Sequence, residues 1–244
     1  MNVTRFLLLR FEAPLLAFGG ETVDARGVIA DFPSRSLLTG LVANALGWRR
    51  GERHKLARLQ ERIAFAARID REGERMTDFQ TASIGGGDKG WTTRGRPEGR
   101  AGGAGTYNAP HIRRRDFDAD ASVTVALRLD PADEAPDLDA AAAALLEPAR
   151  PLFLGRKSCP PAGSIFLRAV DAEDLQTALL RQPLSDPEGD PVRVLLPAGE
   201  PGMEEDEVRF VTDERDWRSG VHAGARRVRL RSVPRLQFAV GGGA

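Results

Sequence analysis

The stretch ASVTVALRLD (121–130) alternates Val123, Val125, Leu127 and Leu129 with Thr124, Ala126 and Arg128. A period of two over this length predicts a half-buried β-strand. Upstream, Ile63, Phe65, Ala67 and Ile69 in RIAFAARID (62–70) predict another, and DREGER (70–75) turns the chain into a short extended segment around Met76 to Thr81. Downstream, Asp137 is placed to cap an alanine-rich helix that runs to Glu147 and is closed by Pro148. GSIFLRAV (163–170) reads as a strand, followed by a short helix from about Glu173 to Arg181.

At the other end, Val3 to Phe11 is an apolar β-rich run that stops before Pro14, consistent with a buried first strand. After a loop containing Gly19, Gly20 and Gly27 comes FPSRSLLTGLVANALGW (32–48), with Leu37, Leu38, Leu41, Val42, Ala45 and Leu46 at helical spacing and Ser34 as N-cap. It predicts an amphipathic helix of about four turns. The order strand, helix, strand, strand, helix, strand predicts an α+β fold of the ferredoxin-like (RRM-like) βαββαβ plan over residues 1–181, with a four-stranded antiparallel sheet and two helices on one face. Beyond Gln182, VRVLLP, EVRFVT and RRVRLRSV are short alternating runs, expected to form a small β-rich appendage over 182–244.

Between the second and third strands lies TASIGGGDKGWTTRGRPEGRAGGAGTYNAP (81–110). It holds nine of the 26 glycines, and Lys89, Arg94, Arg96 and Arg100 against Asp88 and Glu98. A hairpin needs only a few residues there. The excess, about 76–115, predicts an arm projecting from the sheet, with glycine allowing close backbone approach to a ligand.

Composition narrows the function. The 244 residues are 41% hydrophobic, enough for a core. Cys159 is the single cysteine, so no intramolecular disulfide forms; with three scattered histidines there is no zinc-ligand spacing, and a reducing, cytoplasmic setting fits. No metal or cofactor is expected. The N-terminus lacks a signal-peptide pattern and no 18 consecutive apolar residues occur, so neither secretion nor membrane insertion is expected. The net charge is zero, 35 basic against 35 acidic side chains, but the charges segregate. Seven arginines and one acid, Asp216, lie between Arg215 and Arg235, and further basic groups sit at 49–53, at 113–115 and at Arg156 and Lys157. Such clustering gives a neutral molecule a basic face, although single charge runs also serve as solvated surface.

Catalytic signatures are weak. There is no G-x-S-x-G elbow, and GGGDKG (85–90) lacks Walker spacing. Trp91 and Tyr107 suit base stacking, while Lys89, Arg94, Arg96 and Arg100 suit phosphates. The alternative is a Gly/Arg insertion without a ligand. PLFLGRKSCPP (151–161) offers a second candidate: Gly155 permits close approach and Arg156, Lys157 and Ser158 supply donors. It too has a plain reading, a helix-to-strand connection with exposed charge.

Three blocks, AFGG (17–20), FPSRSLLTGLVANALGW (32–48) and FLGRKSCPP (153–161), resemble in order and spacing the Cas-five family of repeat-associated RNA-binding proteins, in its CasD type from the type I-E CRISPR surveillance complex Cascade. The resemblance spans roughly Val3 to Arg181 and fades in the arm and the C-terminal part. It implies a non-catalytic subunit that caps the 5′ handle of the crRNA, with the arm as a thumb. The partners it implies are the backbone subunit (CasC) and the large subunit (CasA), with target DNA met indirectly through the complex. The RNA-binding residues it implies, together with the basic and aromatic candidates above, are Phe18, Gly19, Arg26, Ser34, Arg35, Ser36, Lys89, Trp91, Arg94, Arg113, Arg114, Gly155, Arg156, Lys157, Ser158 and Cys159. Cys159 is then a loop residue near RNA, or else a buried small residue. Relatives in type I-C systems cut the precursor transcript without metal, which makes Tyr107, His111 and Lys89 the candidates for the competing endoribonuclease reading.

Overall fold

The computed structural model describes residues 3–20, 25–82, 90–91, 97–98, 111–184, 189–200 and 206–238. In chain order the elements open with β1 (Thr4–Glu12), β2 (Leu15–Leu16) and β3 (Arg26–Gly27), then α1 (Arg35–Ala45) and α2 (Arg53–Arg62). Next come β4 (Ile63–Arg71), β5 (Glu74–Ala82), the short pair β6 (Gly90–Trp91) and β7 (Pro97–Glu98), β8 (His111–Ala119) and β9 (Ser122–Leu129). They are followed by α3 (Leu138–Leu146), β10 (Phe166–Ala172), α4 (Leu175–Leu180), β11 (Val192–Pro197), β12 (Glu207–Val211), β13 (Arg226–Val233) and a 3₁₀ turn (Arg235–Phe238).

The main sheet has the order β10-β1-β9-β4-β11-β13-β12, every neighbouring pair antiparallel. At its centre Leu127 sits opposite Leu7 on one side and Phe65 on the other. Every residue of β9 except Arg128 is buried, where alternation predicted a half-buried strand. The reason is helix cover on both faces. Val123, Val125 and Leu127 join Leu7, Leu9, Phe11 and Phe65 in a core closed by Leu38, Leu41, Leu56, Leu59 and Leu145 of the first three helices. On the opposite face Ala126, Phe6 and Leu8 pack against Leu175, Ala178 and Leu179 of α4. The small Ala126 and Thr124, with the latter's hydroxyl donating to Asp70, fit that second face without a wet surface. Thus α1 and α3 share one face as expected, and α4 covers the other.

Ser34 caps α1 as read, its Oγ accepting from Leu37 N at 3.0 Å, but the helix is 11 residues, about three turns. Helix α2 carries little sequence signal, since RHKLARLQER offers little more than Leu56 and Leu59 as buried apolar positions. Asp137 caps α3 through Ala140 N.

The C-terminal strands, expected as a small appendage, extend the main sheet instead. β11 pairs with β4 through Val194↔Arg68 and Leu195↔Ala67. Val192, Val194, Leu196, Val233 and Phe238 enter the second core. Arg68, fully buried, anchors this junction: it pairs with Asp70, donates to the carbonyls of Leu179 and Gln182, and lies over the Phe238 ring. A buried guanidinium needs such partners.

A smaller sheet holds the two ends of the segment expected to form an arm. β8 pairs antiparallel with β5 along its whole length, from Glu74↔Ala119 to Ala82↔His111, antiparallel with β2, and parallel with β3 through Arg26↔Arg114. The flanks of the expected arm, β5 and β8, are thus paired beside the main sheet, and most of the segment between them lies outside the described residues. Among the described residues, no helix is long and apolar enough to cross a membrane.

Candidate nucleic-acid interface

The loop 154–159 is built from its buried ends. Leu154 and Cys159 have no exposed surface, and Leu154 N donates to Cys159 O at 2.8 Å. Leu154 O in turn accepts from Ala17 N at 3.3 Å, tying the loop to the AFGG segment. Gly155 has φ +100°, and a Cβ there would lie 1.8 Å from the Ala17 carbonyl oxygen. Only glycine fits. With its ends fixed, the loop turns Lys157 and Ser158 out to solvent.

Arg156 braces the loop against β8 and β3. Its guanidinium donates to Asp116 O at 2.7 Å and Gly27 O at 2.9 Å and stacks over Phe117, 4.7 Å from the ring centroid. Beside it run Arg113, Arg114 and Arg115, all exposed. Together with Ala25, Gly27, Lys157 and Ser158 they line an open cleft of about 610 Å³. Among the described residues, five cations and no carboxylate line it. Burial, and next the neighbouring Arg115 charge, hold the Arg156 pKa below its ordinary value. An anion in the cleft would relieve that repulsion. Guanidiniums in a fixed fork geometry, with a lysine and a hydroxyl, suit phosphate oxygens and read no base edges.

A second cavity, about 520 Å³, lies beside Phe32 and also contains arginines. These are already neutralised: Arg193 by Glu72 and Asp31, Arg209 by Glu207, and Arg231 by Asp206. Charge alone therefore does not single out the first cleft; charge without a carboxylate partner among the described residues does.

The residues expected at the interface divide. Arg113, Arg114, Arg156, Lys157 and Ser158 come together in the cleft, with the exposed Arg26 on the adjoining β3. Arg115 and Gly27 join them; the RRR run at 113–115 carried the first signal, and nothing local carried the second. Phe18 is buried, its ring centroid 6.0 Å from that of Phe11, so it offers no stacking face. Cys159 is buried in the core cluster, the plainer of its two readings, and burial pushes its thiol pKa up. Gly19 is exposed but only bridges Ile29.

The start of α1 is occupied by the protein itself. Arg35 N donates to Asp213 Oδ2 at 3.1 Å and Ser36 N to Asp213 O at 2.9 Å. The Arg35 guanidinium pairs with Glu214 at 2.5 Å, and Ser36 is buried against Ser34 Oγ. The side chains of Lys89, Trp91, Arg94, Tyr107 and His111 lie outside the described residues.

Comparison with known proteins bears on this arrangement. The model of the family described as CRISPR-associated protein (Cas_Cas5) matches residues 6–229. "CRISPR system Cascade subunit CasD" of Escherichia coli (strain K12) is 34% identical over 176 residues, 72% of this chain and 75% of the relative. Among solved structures, a chain of a "CRISPR RNA-guided surveillance complex" superposes with a TM-score of 0.70 at 25% identity, covering 94% of this chain and 91% of that one. A "Crystal structure of Cas protein" gives 0.64 at 26% identity, covering 96% and 97%.

Proposed function

Since the chain belongs to the CRISPR-associated Cas5 family, we propose that it is a crRNA-binding subunit of a Cascade-type surveillance complex that grips the 5′ handle of the guide through the cleft at Arg113–Arg115, Arg156 and Lys157. The cleft is the observation that carries this reading: among the described residues, five cations, no lining carboxylate, and an arginine held against like charge. Its role is to bind. Target sequence is then read by guide pairing, and the protein meets phosphate and shape.

Strands β10-β1-β9-β4 stand in the order fourth, first, third, second, the arrangement of a ferredoxin-like (RRM-like) unit, and the hairpin β5–β8 is inserted between its second and third members. That order supports reading residues 76–115 as a thumb, which would reach the backbone subunit CasC while the large subunit CasA docks alongside. The domain division 1–181 and 182–244 becomes, on this reading, a core unit and an extension of its sheet.

The test is binding of labelled handle RNA by the full chain across a salt series. The pair Arg114→Gln and Lys157→Gln is expected to weaken binding about tenfold and to flatten the salt dependence by about 1.4 in log–log slope, two single-strand phosphate contacts. An unchanged slope would sink the cleft. A cut at the handle boundary in EDTA would instead sink the binding-only role and turn attention to Tyr107, His111 and Lys89.

A further inference from the structure

A second basic surface forms where the turn between α1 and α2 meets the loop before β13. Residues 49–55 and 215–222 hold six lysines and arginines against two carboxylates, Glu52 and Asp216. Both carboxylates are engaged locally: Glu52 accepts from Lys55 Nζ and Arg49 N, Asp216 from Arg218 N and Ser219 Oγ.

The two segments are locked together. Gln60 of α2 donates to Arg215 O at 3.1 Å and accepts from Arg215 N at 3.0 Å and Trp217 Nε1 at 3.2 Å. The loop closes on itself through Gly220 N to Asp216 O at 2.8 Å. At its tip Gly220 has φ +80°, and the position a Cβ would take lies 3.3 Å from an Arg215 guanidinium nitrogen and 3.4 Å from one of Arg50. Two guanidiniums from different elements thus face one point.

Arg50, Arg53 and Arg215 have no carboxylate partner among the described residues, whereas Arg58, Arg193 and Arg226 are paired with Glu134, Glu72 and Asp213. Arg53 also occupies the first turn of α2, which has no acidic residue, while the N-cap carboxylate of Glu52 is taken by Lys55 and Arg49 N. Cations there oppose the positive end of the helix dipole. Unpaired charge kept against the local field is the kind of conflict that marks a binding surface.

We propose that this surface binds a nucleic-acid phosphate backbone, independently of the cleft, with which it shares no residue. Arg50 and Arg215 hold one phosphate between them and Arg53 a neighbouring one. Trp217 packs against the core and bonds Gln60, so its ring is committed and the contact is blind to sequence.

The test starts from a full-length chain whose cleft is neutralised by R114Q and K157Q, titrated across a salt series with a mixed-sequence DNA duplex and with a single-stranded RNA lacking the handle. Adding R50Q and R215Q, which removes the one phosphate contact they share, is expected to lower affinity about tenfold and to reduce the log–log salt slope by about 0.9 on the duplex or about 0.7 on the single strand. The probe with the larger loss names the source. R5Q, whose arginine pairs with Asp139 at 2.9 Å, is the control. An unchanged slope on both probes overturns the proposal, and so does an equal loss from the control. Because Arg215 also stacks on Trp217, R50Q alone is the second variant, expected to give about half the slope change with an unchanged melting temperature. Loss of complex assembly with undiminished nucleic-acid affinity also overturns it, in favour of an acidic protein neighbour. Handle binding that proves independent of the cleft would leave this slope change intact, so the two readings fail separately.

Discussion

The loop Gly155–Cys159 and the start of α1 at Ser34–Ser36 carry the same kinds of group, arginine, serine and backbone N–H, and the fold treats them oppositely. At α1 the capping amides are taken by Asp213 and Ser34, and Arg35 by Glu214. Burial and the nearby Arg226 lower the Arg35 pKa, while Glu214 and Asp213 push it back up. At the loop the guanidinium of Arg156 is braced by two carbonyls, its strongest charged neighbour is another arginine, and Lys157 is exposed. A basic residue marks a polyanion site only when the chain has not already spent it on its own carboxylates.

The largest effect expected from this contrast falls on the loop's geometry. Gly155→Ala would drive a Cβ into the Ala17 carbonyl at a backbone angle that side chains avoid. It should cost on the order of 3 kcal/mol or more, read by urea denaturation, and take handle binding with it. A cost below about 1 kcal/mol would mean that the loop yields and that its rigidity is not what presents Arg156 and Lys157.

Asp213→Ala should cost nearly as much, about 3 kcal/mol, because Arg226 is left without its partner in a site where both side chains are nearly buried. Measured well below melting, handle-RNA affinity should not change. Tighter binding by this variant would break the contrast outright, for it would mean that Asp213 had been standing where a phosphate belongs. Ser34→Ala removes one capping acceptor and should cost about 1 kcal/mol of stability, again with affinity untouched.

Local pattern made much of this legible. The alternation in 121–130 locates the central strand, Ser34 and Asp137 sit at the caps their sequence positions indicate, and the glycine-rich stretch falls between the second and third main strands. What local pattern missed depends on partners distant in sequence. The second buried face of β9 exists because α4 and the C-terminal strands cover it, and the seven-strand sheet depends on Val194 and Leu195 meeting β4. In the site, the GRKS loop and the arginine run were each visible, but their meeting across Gly27 was not. Nor was the loss of Arg35 to Glu214, whose partner lies 179 residues away.

The smallest effect separates two readings of one atom. Cys159 sits in the GRKSC block yet is buried, and burial raises its thiol pKa while Ser158 and Arg156 lower it less. A raised value means that the folded state holds the proton more tightly than the unfolded chain does. The associated stability is present in full below about pH 8.5, the ordinary thiol value, and is lost as pH rises through the folded value. Wild type should therefore lose more stability than Cys159→Ala as pH climbs above about 8.5. Alkylation of the native thiol at pH 8 should be slow and insensitive to handle RNA. Fast labelling that RNA blocks would move Cys159 out of the core and into the interface, and the loop would then contact its ligand through its floor as well as its rim.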